Sequence, residues 1–382
     1  KSPRRHVRAN RNRTTPLLSP SIPHRKGRRL QGFHMESKLE GTGQMQLISG
    51  LPDDIALRCL ARVPRRYHTV LKCVSRRWRD LVRSEEWHTY RSRHGLSETW
   101  IYALCHDKFD QACCYVLDPG SSRRGWKRIP GVPRPCLKRK GMGFQVVGKE
   151  VYLLGGCGWS EDATSEAYCY DVSTNSWTEA TPLSTPRCYF ACEVLDRKIC
   201  AIGGYGSNYS HLHSWDSFDP RSNSWELHHD ENIVHDVEDS VVLDRKIYFR
   251  ITYTFPPRLI LYDLASRTWQ QADANMELGW QGPSVVVDAT LYMLDQNSGI
   301  RLMMWEKDKR EWVAIGRLSI LLTRPPCQLV AIGRKIFIVG KGLRTVVFDI
   351  DRMGNMGGIM VGTSINGLDS GDHVISCKCV AL

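Results

Sequence analysis

Short apolar runs separated by polar turns recur along most of the chain. The pentapeptide Leu-Asp-Arg-Lys-Ile occurs at Leu195–Ile199 and again at Leu243–Ile247, and each copy connects two apolar runs through a polar turn. Runs equivalent to the second one begin at spacings of 50, 48, 48, 44 and 45 residues, at Ile101, Val151, Ile199, Ile247, Leu291 and Ile336. Six units at nearly regular spacing predict a repeat architecture.

The composition of each unit indicates a sheet of about four strands. Its β-branched and aromatic runs are typical of strands, and the three- and four-residue steps of helical repeats are missing. Glycine pairs such as Gly155-Gly156 end a strand where the backbone must come close to a neighbour. In three units a Trp follows an Asp six residues later, which suits a hairpin with the Trp on the outer strand: Asp171/Trp177, Asp219/Trp225 and Asp263/Trp269. Four-stranded sheets repeated radially form a β-propeller.

The first unit lacks an innermost strand, because nothing strand-like comes just before Ile101. The segment His373–Leu382 alternates like a strand and follows the last unit. We therefore expect this C-terminal strand to join the first unit and close a ring of six blades, which removes an open sheet edge.

A different pattern precedes the propeller, at residues 47–87, and predicts short amphipathic helices. Pro52, followed by Asp53 and Asp54, is typical of the first turn of a helix. Apolar positions form one stripe at Ile55, Cys59, Leu60 and Val63, and a second at Val70, Leu71, Val74, Trp78, Leu81 and Val82. About 45 residues are too few to hide both stripes. The pattern alone favours a helical cap packed against the propeller.

The repeat unit is similar to the kelch repeat, which has a double glycine, then a Tyr-Asp or related pair, and then a Trp. The similarity covers residues 97–382 and is strongest in the units that contain Gly155-Gly156 and Gly203-Gly204. The WD40 repeat fits less well, because the only Trp-Asp dipeptide, Trp215-Asp216, is out of register. The resemblance implies an all-β kelch-type propeller.

Residues 46–92 resemble an F-box through two motifs, LPDDIALRCLARVP from Leu51 and LKCVSRRWRDLV from Leu71. The resemblance implies a small all-α bundle that binds a Skp-type adaptor and, through it, a cullin scaffold. By this resemblance the adaptor contact is formed by Leu51, Pro52, Ile55, Leu60, Val63 and Pro64. The bundle is held together, and the same face completed, by Leu71, Val74, Trp78 and Leu81.

The combination of an F-box and a kelch propeller on one chain is most typical of plants. The chain resembles in particular the plant F-box/kelch proteins that interact with Skp-like adaptors. This resemblance implies the substrate-recognition subunit of an SCF-type (Skp-cullin-F-box) ubiquitin ligase, which holds an unknown protein target on its propeller and catalyses no reaction itself. Two alternatives stay open: a kelch scaffold outside any ligase, and a propeller enzyme acting on a small molecule.

The net charge of +13 is concentrated at one end of the chain. Residues 1–34 contain ten Lys or Arg and no acidic residue, which leaves only +3 for the rest (13 less 10). We expect residues 1–45 to be a disordered basic extension. Three hypotheses fit this extension: a transit peptide, an arm for nucleic-acid binding or nuclear targeting, or translated upstream sequence that is not native. Met35 could be the normal translation start, which favours the third hypothesis. No nucleic-acid partner is expected outside this extension.

The candidate chemistry is sparse. The fourteen cysteines include no C-x-x-C pair, which favours reduced thiols in a cytoplasmic or nuclear protein. No apolar run is long enough to cross a membrane. The histidines His211, His213, His228 and His229 are more typical of surface loops than of a metal site, and the glycine-rich stretches do not connect a strand to a helix as phosphate-binding loops do. We therefore expect no catalytic residue, metal or cofactor.

One face of the propeller is the expected target site. The first two strands of a blade are antiparallel, so the loop entering the first strand and the loop leaving the second share a face. The entering loops include Lys138–Lys140, Arg187–Tyr189, His235–Asp239, Trp280–Gln281 and Arg324, and the leaving loops include Trp159–Asp162, Tyr205–Tyr209 and Tyr253–Phe255. Aromatic and Arg residues are enriched at binding hot spots, which predicts target contacts from Trp159, Arg187, Tyr189, Tyr205 and Trp280. The alternative is a set of solvated turns with a few stacked aromatic side chains.

Overall fold

The computed structural model describes residues 46–121, 125–206, 213–233, 235, 237–251, 258–296, 300–319, 324–352, 362–368 and 371–382. The predicted basic extension at residues 1–45, the loop Tyr253–Phe255 and residues 207–209 of another predicted loop lie outside these ranges.

Short helices form the first part of the described chain. They are α1 (Asp53–Ala61), a 3₁₀ turn (Arg65–Tyr67), α2 (His68–Val74), α3 (Arg76–Arg83) and α4 (Glu85–Arg93). Two of them begin at serine caps: the Ser75 hydroxyl accepts from the Trp78 amide at 3.1 Å, and the Ser84 hydroxyl accepts from the Trp87 amide at 3.2 Å. The apolar sides of the helices meet in a core of their own, formed by Leu60, Ala61, Leu71, Val82 and Trp87.

Nearly all regular elements in the rest of the described chain are strands. The first strands are β1 (Thr99–His106), β2 (Ala112–Leu117), β3 (Trp126–Ile129), β4 (Gly143–Val147), β5 (Glu150–Leu154), β6 (Ala167–Asp171), β7 (Ser176–Ala180), β8 (Ala191–Leu195), β9 (Lys198–Ile202), β10 (Ser214–Asp219) and β11 (Ser224–His229). Next come β12 (Val237–Leu243), β13 (Lys246–Ile251), β14 (Arg258–Asp263), β15 (Thr268–Gln271), the helix α5 (Ala274–Gly279), β16 (Ser284–Val287), β17 (Thr290–Asp295), β18 (Arg301–Glu306) and β19 (Glu311–Arg317). The last are β20 (Gln328–Ile332), β21 (Lys335–Val339), β22 (Thr345–Asp349), β23 (Thr363–Ile365) and β24 (His373–Ala381).

Within the described ranges these strands form six four-stranded antiparallel sheets, the blades of a propeller. Blades 2 to 6 are consecutive: β4–β7, β8–β11, β12–β15, β16–β19 and β20–β23. Blade 1 combines β1–β3 with β24, and the register pairs Thr99 with Ala381 and His106 with His373. The predicted six-bladed fold, closed by the C-terminal strand, is confirmed.

The repeated pentapeptide forms the hairpin between the first and second strands of blades 3 and 4. Its two turn residues have positive φ angles, 50° and 65° at Asp196 and Arg197, and 50° and 60° at Asp244 and Arg245. Left-handed conformation at both central residues defines a type I′ turn, whose twist matches that of paired strands. Both copies of the pentapeptide therefore form the same tight turn, which blade 5 forms with a different sequence, at Asp288 and Ala289.

Three outer-strand tryptophans form hydrogen bonds between neighbouring blades. The indole nitrogen of Trp225 in blade 3 donates to the Thr181 carbonyl oxygen, which follows blade 2, at 2.8 Å. Trp269 in blade 4 donates to a carboxylate oxygen of Asp230, which follows blade 3, at 2.7 Å. Where the ring closes between blades 6 and 1, the indole nitrogen of Trp126 in blade 1 donates to the Thr345 hydroxyl in blade 6 at 3.0 Å.

The antiparallel order gives the propeller two distinct faces. The hairpin face carries the connections between first and second strands and between third and fourth strands. The loop face carries the connections between second and third strands and between successive blades. The helices pack on the hairpin face of blades 1 and 2, where Arg65 donates to the Val172 carbonyl oxygen at 3.3 Å and Lys149 pairs with Glu85 at 3.3 Å.

Candidate protein-interaction sites on opposite faces

Apolar side chains of α1 and α2 remain exposed although the helices pack on the propeller. The exposed fractions are 38% for Ile55, 61% for Val70 and 59% for Val74. Val70 and Val74 lie one turn apart on α2, and Ile55 is on α1. Exposed apolar side chains of this kind are candidate docking positions. We call Ile55, Val70 and Val74 the helical apolar surface.

The ten residues predicted to form or complete the adaptor contact fall into three groups. Pro52, Ile55 and Val74 are exposed, whereas Leu51, Val63, Pro64, Trp78 and Leu81 are partly buried. Leu71, which was predicted to hold the bundle together, is buried in the helical core. The prediction was wrong for Leu60, which is 5% exposed: its side chain points into the helical core and is not available to a partner.

A pocket of about 410 Å³ lies on the loop face of blades 1 and 2. Three exposed aromatic side chains line it, with exposed fractions of 96% for Trp159, 72% for Phe109 and 50% for Tyr189. They come from three connections: β1 to β2, β5 to β6, and β7 to β8. Exposed aromatic residues are costly in water, so this group, which we call the aromatic pocket, is the candidate target site.

Local hydrogen bonds hold the segments of two of the three aromatic residues, Phe109 and Tyr189, in place. A carboxylate oxygen of Asp107 accepts from the amides of Phe109 at 2.9 Å and Gln111 at 3.0 Å, which fixes the turn that presents Phe109. Tyr189 has a φ angle of 53°, unusual for an aromatic residue, and its amide donates to the Gly141 carbonyl oxygen at 2.8 Å. The pocket is thus built on ordered turns.

Both signs of charge occur at the aromatic pocket. The Lys140 ammonium lies 2.5 Å from a carboxylate oxygen of Asp110, and this hydrogen bond lowers the pKa of Asp110 below its usual range. Lys138 also lines the pocket. The lining thus combines aromatic side chains with a paired Lys140–Asp110 and the exposed Lys138.

Two residues of the predicted target site are buried, and the prediction was wrong for both. Arg187 is 3% exposed, and its guanidinium is held by Asp216 at 2.8 Å and by the Ser214 carbonyl oxygen at 2.8 Å. Trp280 is 1% exposed, and its indole nitrogen donates to the Gly282 carbonyl oxygen at 3.0 Å. Both side chains stabilise the propeller and are inaccessible to a partner.

Tyr205 is 47% exposed but does not line the aromatic pocket. Its amide and carbonyl both bond to Cys188 at 2.8 Å, which places Tyr205 next to the chain segment that carries Tyr189. Sequence reasoning missed Phe109. The leaving loops predicted from the sequence follow the second strand of a blade. The β1–β2 connection is such a loop in blade 1, and including it would have identified Phe109.

The central channel forms a second, more polar cavity of about 510 Å³. Burial raises the pKa of the Asp239 carboxyl there to about 6, and the Ser284 hydroxyl donates to it at 2.6 Å. Arg250 pairs with Glu238 at 3.2 Å. Lys378 pairs with Glu193 at 3.8 Å, so Asp239 is the carboxyl of the channel whose partner is an uncharged hydroxyl.

The described residues contain no cluster of three or more His, Cys, Asp or Glu side chains that could hold a metal ion. All fourteen cysteines are free thiols. No helix in the described ranges is both long enough and apolar enough to span a membrane.

The fold and its two exposed surfaces define a class of protein: a helical docking module fused to a propeller that presents a pocket on the opposite face. Residues 48–90 match the F-box domain family, and residues 101–352 match the family described as FKB95, Kelch-repeats domain. The chain belongs to the F-box/kelch-repeat family.

Its relatives include several proteins of Arabidopsis thaliana. The chain is 50% identical over 343 residues to "F-box/kelch-repeat protein SKIP4", with 89% of this chain and 95% of the relative covered. It is 27% identical to "F-box protein AFR", with 79% and 83% covered, and 26% identical to "F-box/kelch-repeat protein SKIP30", with 83% and 90% covered. An F-box domain implies a Skp-type adaptor as partner, and with the propeller it supports a substrate-adaptor role.

Proposed function

We propose that the protein is the substrate-recognition subunit of an SCF-type ubiquitin ligase. The observation that carries this proposal is the placement of two exposed surfaces on one rigid propeller: the F-box, with its helical apolar surface, on the hairpin face, and the aromatic pocket on the loop face. Blade strands of five or six residues span about 17–20 Å, so the propeller separates its two partners by at least that distance.

In this proposal the helical apolar surface binds a Skp-type adaptor, which connects the protein to a cullin scaffold. Ile55, Val70 and Val74 supply apolar area that is exposed in the free chain, and its burial favours association at about 25 cal/mol per Å². Several ion pairs and hydrogen bonds between the helices and the hairpin face, including Arg66 with Asp118 at 3.4 Å, hold the F-box against the propeller. The adaptor contact therefore sets the orientation of the whole chain.

The aromatic pocket binds the protein target. Trp159, Phe109 and Tyr189 supply apolar contacts. Lys140 is paired with Asp110, which leaves Lys138 as the cation that can meet a carboxylate of the target segment. The protein's contribution to ubiquitin transfer is proximity: a bound target's lysines reach a high effective concentration near the charged conjugating enzyme.

The proposal is tested by affinity purification of the full chain from plant cells treated with a proteasome inhibitor, followed by mass spectrometry. The comparison protein carries Val70→Asp and Val74→Asp in α2, where the substituted side chains point to solvent. A Skp-type adaptor and a cullin should co-purify with the intact chain and be absent from the variant. Target proteins should co-purify with both.

The same experiment distinguishes this proposal from a kelch scaffold that acts outside any ligase. A scaffold would bring down partners through its propeller but neither adaptor nor cullin, and the α2 substitutions would leave its partners unchanged. That outcome would overturn the ligase assignment.

A further inference from the structure

A cavity of about 200 Å³ lies where the F-box packs on the hairpin face of blades 1 and 2. Four cationic side chains line it: Arg65, Arg66 and Lys72 from the F-box, and Lys127 from β3. Among the described residues, no Asp or Glu side chain lines it. The cavity is separate from both the helical apolar surface and the aromatic pocket.

Arg65 is the most deeply buried of these cations, with 7% of its surface exposed. Its guanidinium donates to the Tyr102 hydroxyl at 2.7 Å and lies 4.1 Å above the Trp100 ring. Within the described ranges it has no ion pair, and its Nη1 atom has no hydrogen-bond partner. Glu98 accepts from the Arg65 main-chain amide at 2.7 Å but is ion-paired with Arg91 at 3.1 Å. Buried charges are ordinarily paired, so Arg65 is an exception that needs a cause.

The remaining cations are only partly neutralised. Arg66 pairs with Asp118 at 3.4 Å. The Lys72 ammonium donates to the Ser173 carbonyl oxygen, and Lys127 has no ion pair with any described residue. The charge of Asp171 also acts on Lys72. The four cations that line the cavity therefore outnumber their two acidic partners, Asp118 and Asp171, and a bound anion would reduce this excess of positive charge.

Two histidines line the cavity without adding charge, and the Nε2 atom of His68 is hydrogen-bonded to the Val63 carbonyl oxygen at 3.2 Å. Burial, together with the charges of Arg91 and Arg65, lowers the pKa of His68 to about 3. Burial, together with the charge of Lys149, lowers the pKa of His88 to about 4, so both rings are neutral at physiological pH. Neither ring nitrogen of His88 has a partner in the part of the chain that the structure describes.

We propose that this cavity binds a small phosphate-bearing anion, either free phosphate or a phosphomonoester, between the F-box and the propeller. Guanidinium groups match phosphate oxygens in geometry, and ammonium groups add charge from the side. Because Arg65 and Lys72 belong to the F-box and Lys127 to blade 1, a bound anion would connect the two parts of the chain. A ligand that binds only the folded arrangement stabilises it.

The test uses the full-length protein in thermal-unfolding and calorimetric titrations. The titrants are sodium phosphate, a simple phosphomonoester such as glycerol 3-phosphate, and sodium chloride at matched ionic strength. We expect phosphate or the phosphomonoester to raise Tm with saturation, and chloride to have no saturable effect. Saturation by both would identify the phosphate group itself as the ligand, and saturation by the ester alone would identify an organic phosphate.

Variants distinguish a built site from general charge screening. Lys127→Gln and Lys72→Gln should each weaken binding about tenfold, the usual loss for one charge-assisted hydrogen bond. Lys335→Gln is the matched control, since it removes one exposed positive charge from the hairpin face of blade 6 and should leave binding unchanged. The proposal is overturned if neither phosphate compound shows saturation, or if Lys335→Gln weakens binding as much as Lys127→Gln.

Discussion

Arg187 and Asp216 form an ion pair inside the propeller, with 2.8 Å between Nε and Oδ2 and with side chains 4% and 0% exposed. The pair connects the segment that enters blade 3 to β10 of that blade. The Thr185 hydroxyl donates to the same carboxylate oxygen at 2.8 Å, and the guanidinium also donates to the Gly203 carbonyl oxygen at 3.1 Å. This network fixes the chain segment just before Tyr189 to blade 3.

Replacing Arg187 with Ala should destabilise the propeller strongly. The substitution leaves the Asp216 carboxylate buried without its cation, a change that typically costs about 3–5 kcal/mol. Chemical denaturation of the full chain measures the loss. The control is Trp159→Ala, which removes a large side chain that is 96% exposed and should leave the free energy of unfolding nearly unchanged. Equal stability of the Arg187→Ala variant and the parent would contradict this prediction.

Much of the fold could be predicted from periodic features of the sequence. Runs at spacings of 44–50 residues predicted the blades, and the strand pattern at His373–Leu382 predicted the closure. The F-box was evident because two motifs specify several positions at once.

The site could be predicted only in part, because sequence position defines a loop but not the burial of its side chains. Arg187 and Tyr189 are two residues apart, yet one points into the propeller and the other to solvent. The difference comes from Asp216 in β10, an ion-pair partner of Arg187 that lies 29 residues away in the sequence, so that no local pattern reveals it. Likewise, Val70 and Leu71 belong to the same apolar stripe, and the sequence pattern does not indicate that Leu71 faces the helical core while Val70 is exposed.

Charged substitutions on α2 should abolish adaptor binding without unfolding the protein. Val70→Asp and Val74→Asp place carboxylates on side chains that are 61% and 59% exposed, and loss of an apolar anchor at an interface centre costs about 2 kcal/mol or more. Binding of a purified Skp-type adaptor by calorimetry measures the effect. Ser92→Asp, an exposed position on α4, is a control that adds the same charge elsewhere in the F-box. Adaptor binding that survives both α2 substitutions would exclude this surface.

Removing the aromatic side chains of the pocket should abolish target binding and leave adaptor binding intact. Trp159→Ala, Phe109→Ala and Tyr189→Ala each remove exposed apolar area, and the triple variant should lose at least tenfold in affinity for a captured target. Pull-down of targets and adaptor from the same lysate makes the comparison. Leu278→Ala is the matched control, because Leu278 is 68% exposed on α5, on the loop face but outside the pocket. If the triple variant and the control retain the target equally, the target binds elsewhere.

The stability of the propeller should depend on the protonation of Asp239 in the central channel. Burial raises the pKa of this carboxyl from about 3.8 to about 6, so the folded protein holds its proton more tightly than the unfolded chain does. The free energy of unfolding therefore contains a contribution that is present below about pH 4, declines as the pH rises towards 6, and is absent above it. The decline is on the order of 1–3 kcal/mol, since one pKa unit corresponds to about 1.4 kcal/mol.

Asp239→Asn should remove this decline, because the amide cannot ionise and still offers an oxygen to the Ser284 hydroxyl. Urea unfolding of the two proteins between pH 4 and pH 8 measures it: relative to the parent, the variant should gain stability as the pH rises through 5 and 6. Asp308→Asn, at an exposed turn, is the control and should follow the parent across the whole range. Parallel curves for the parent and the Asp239→Asn variant would show that the Asp239 carboxylate is well solvated or neutralised by Arg250, and that its ionisation does not affect folding.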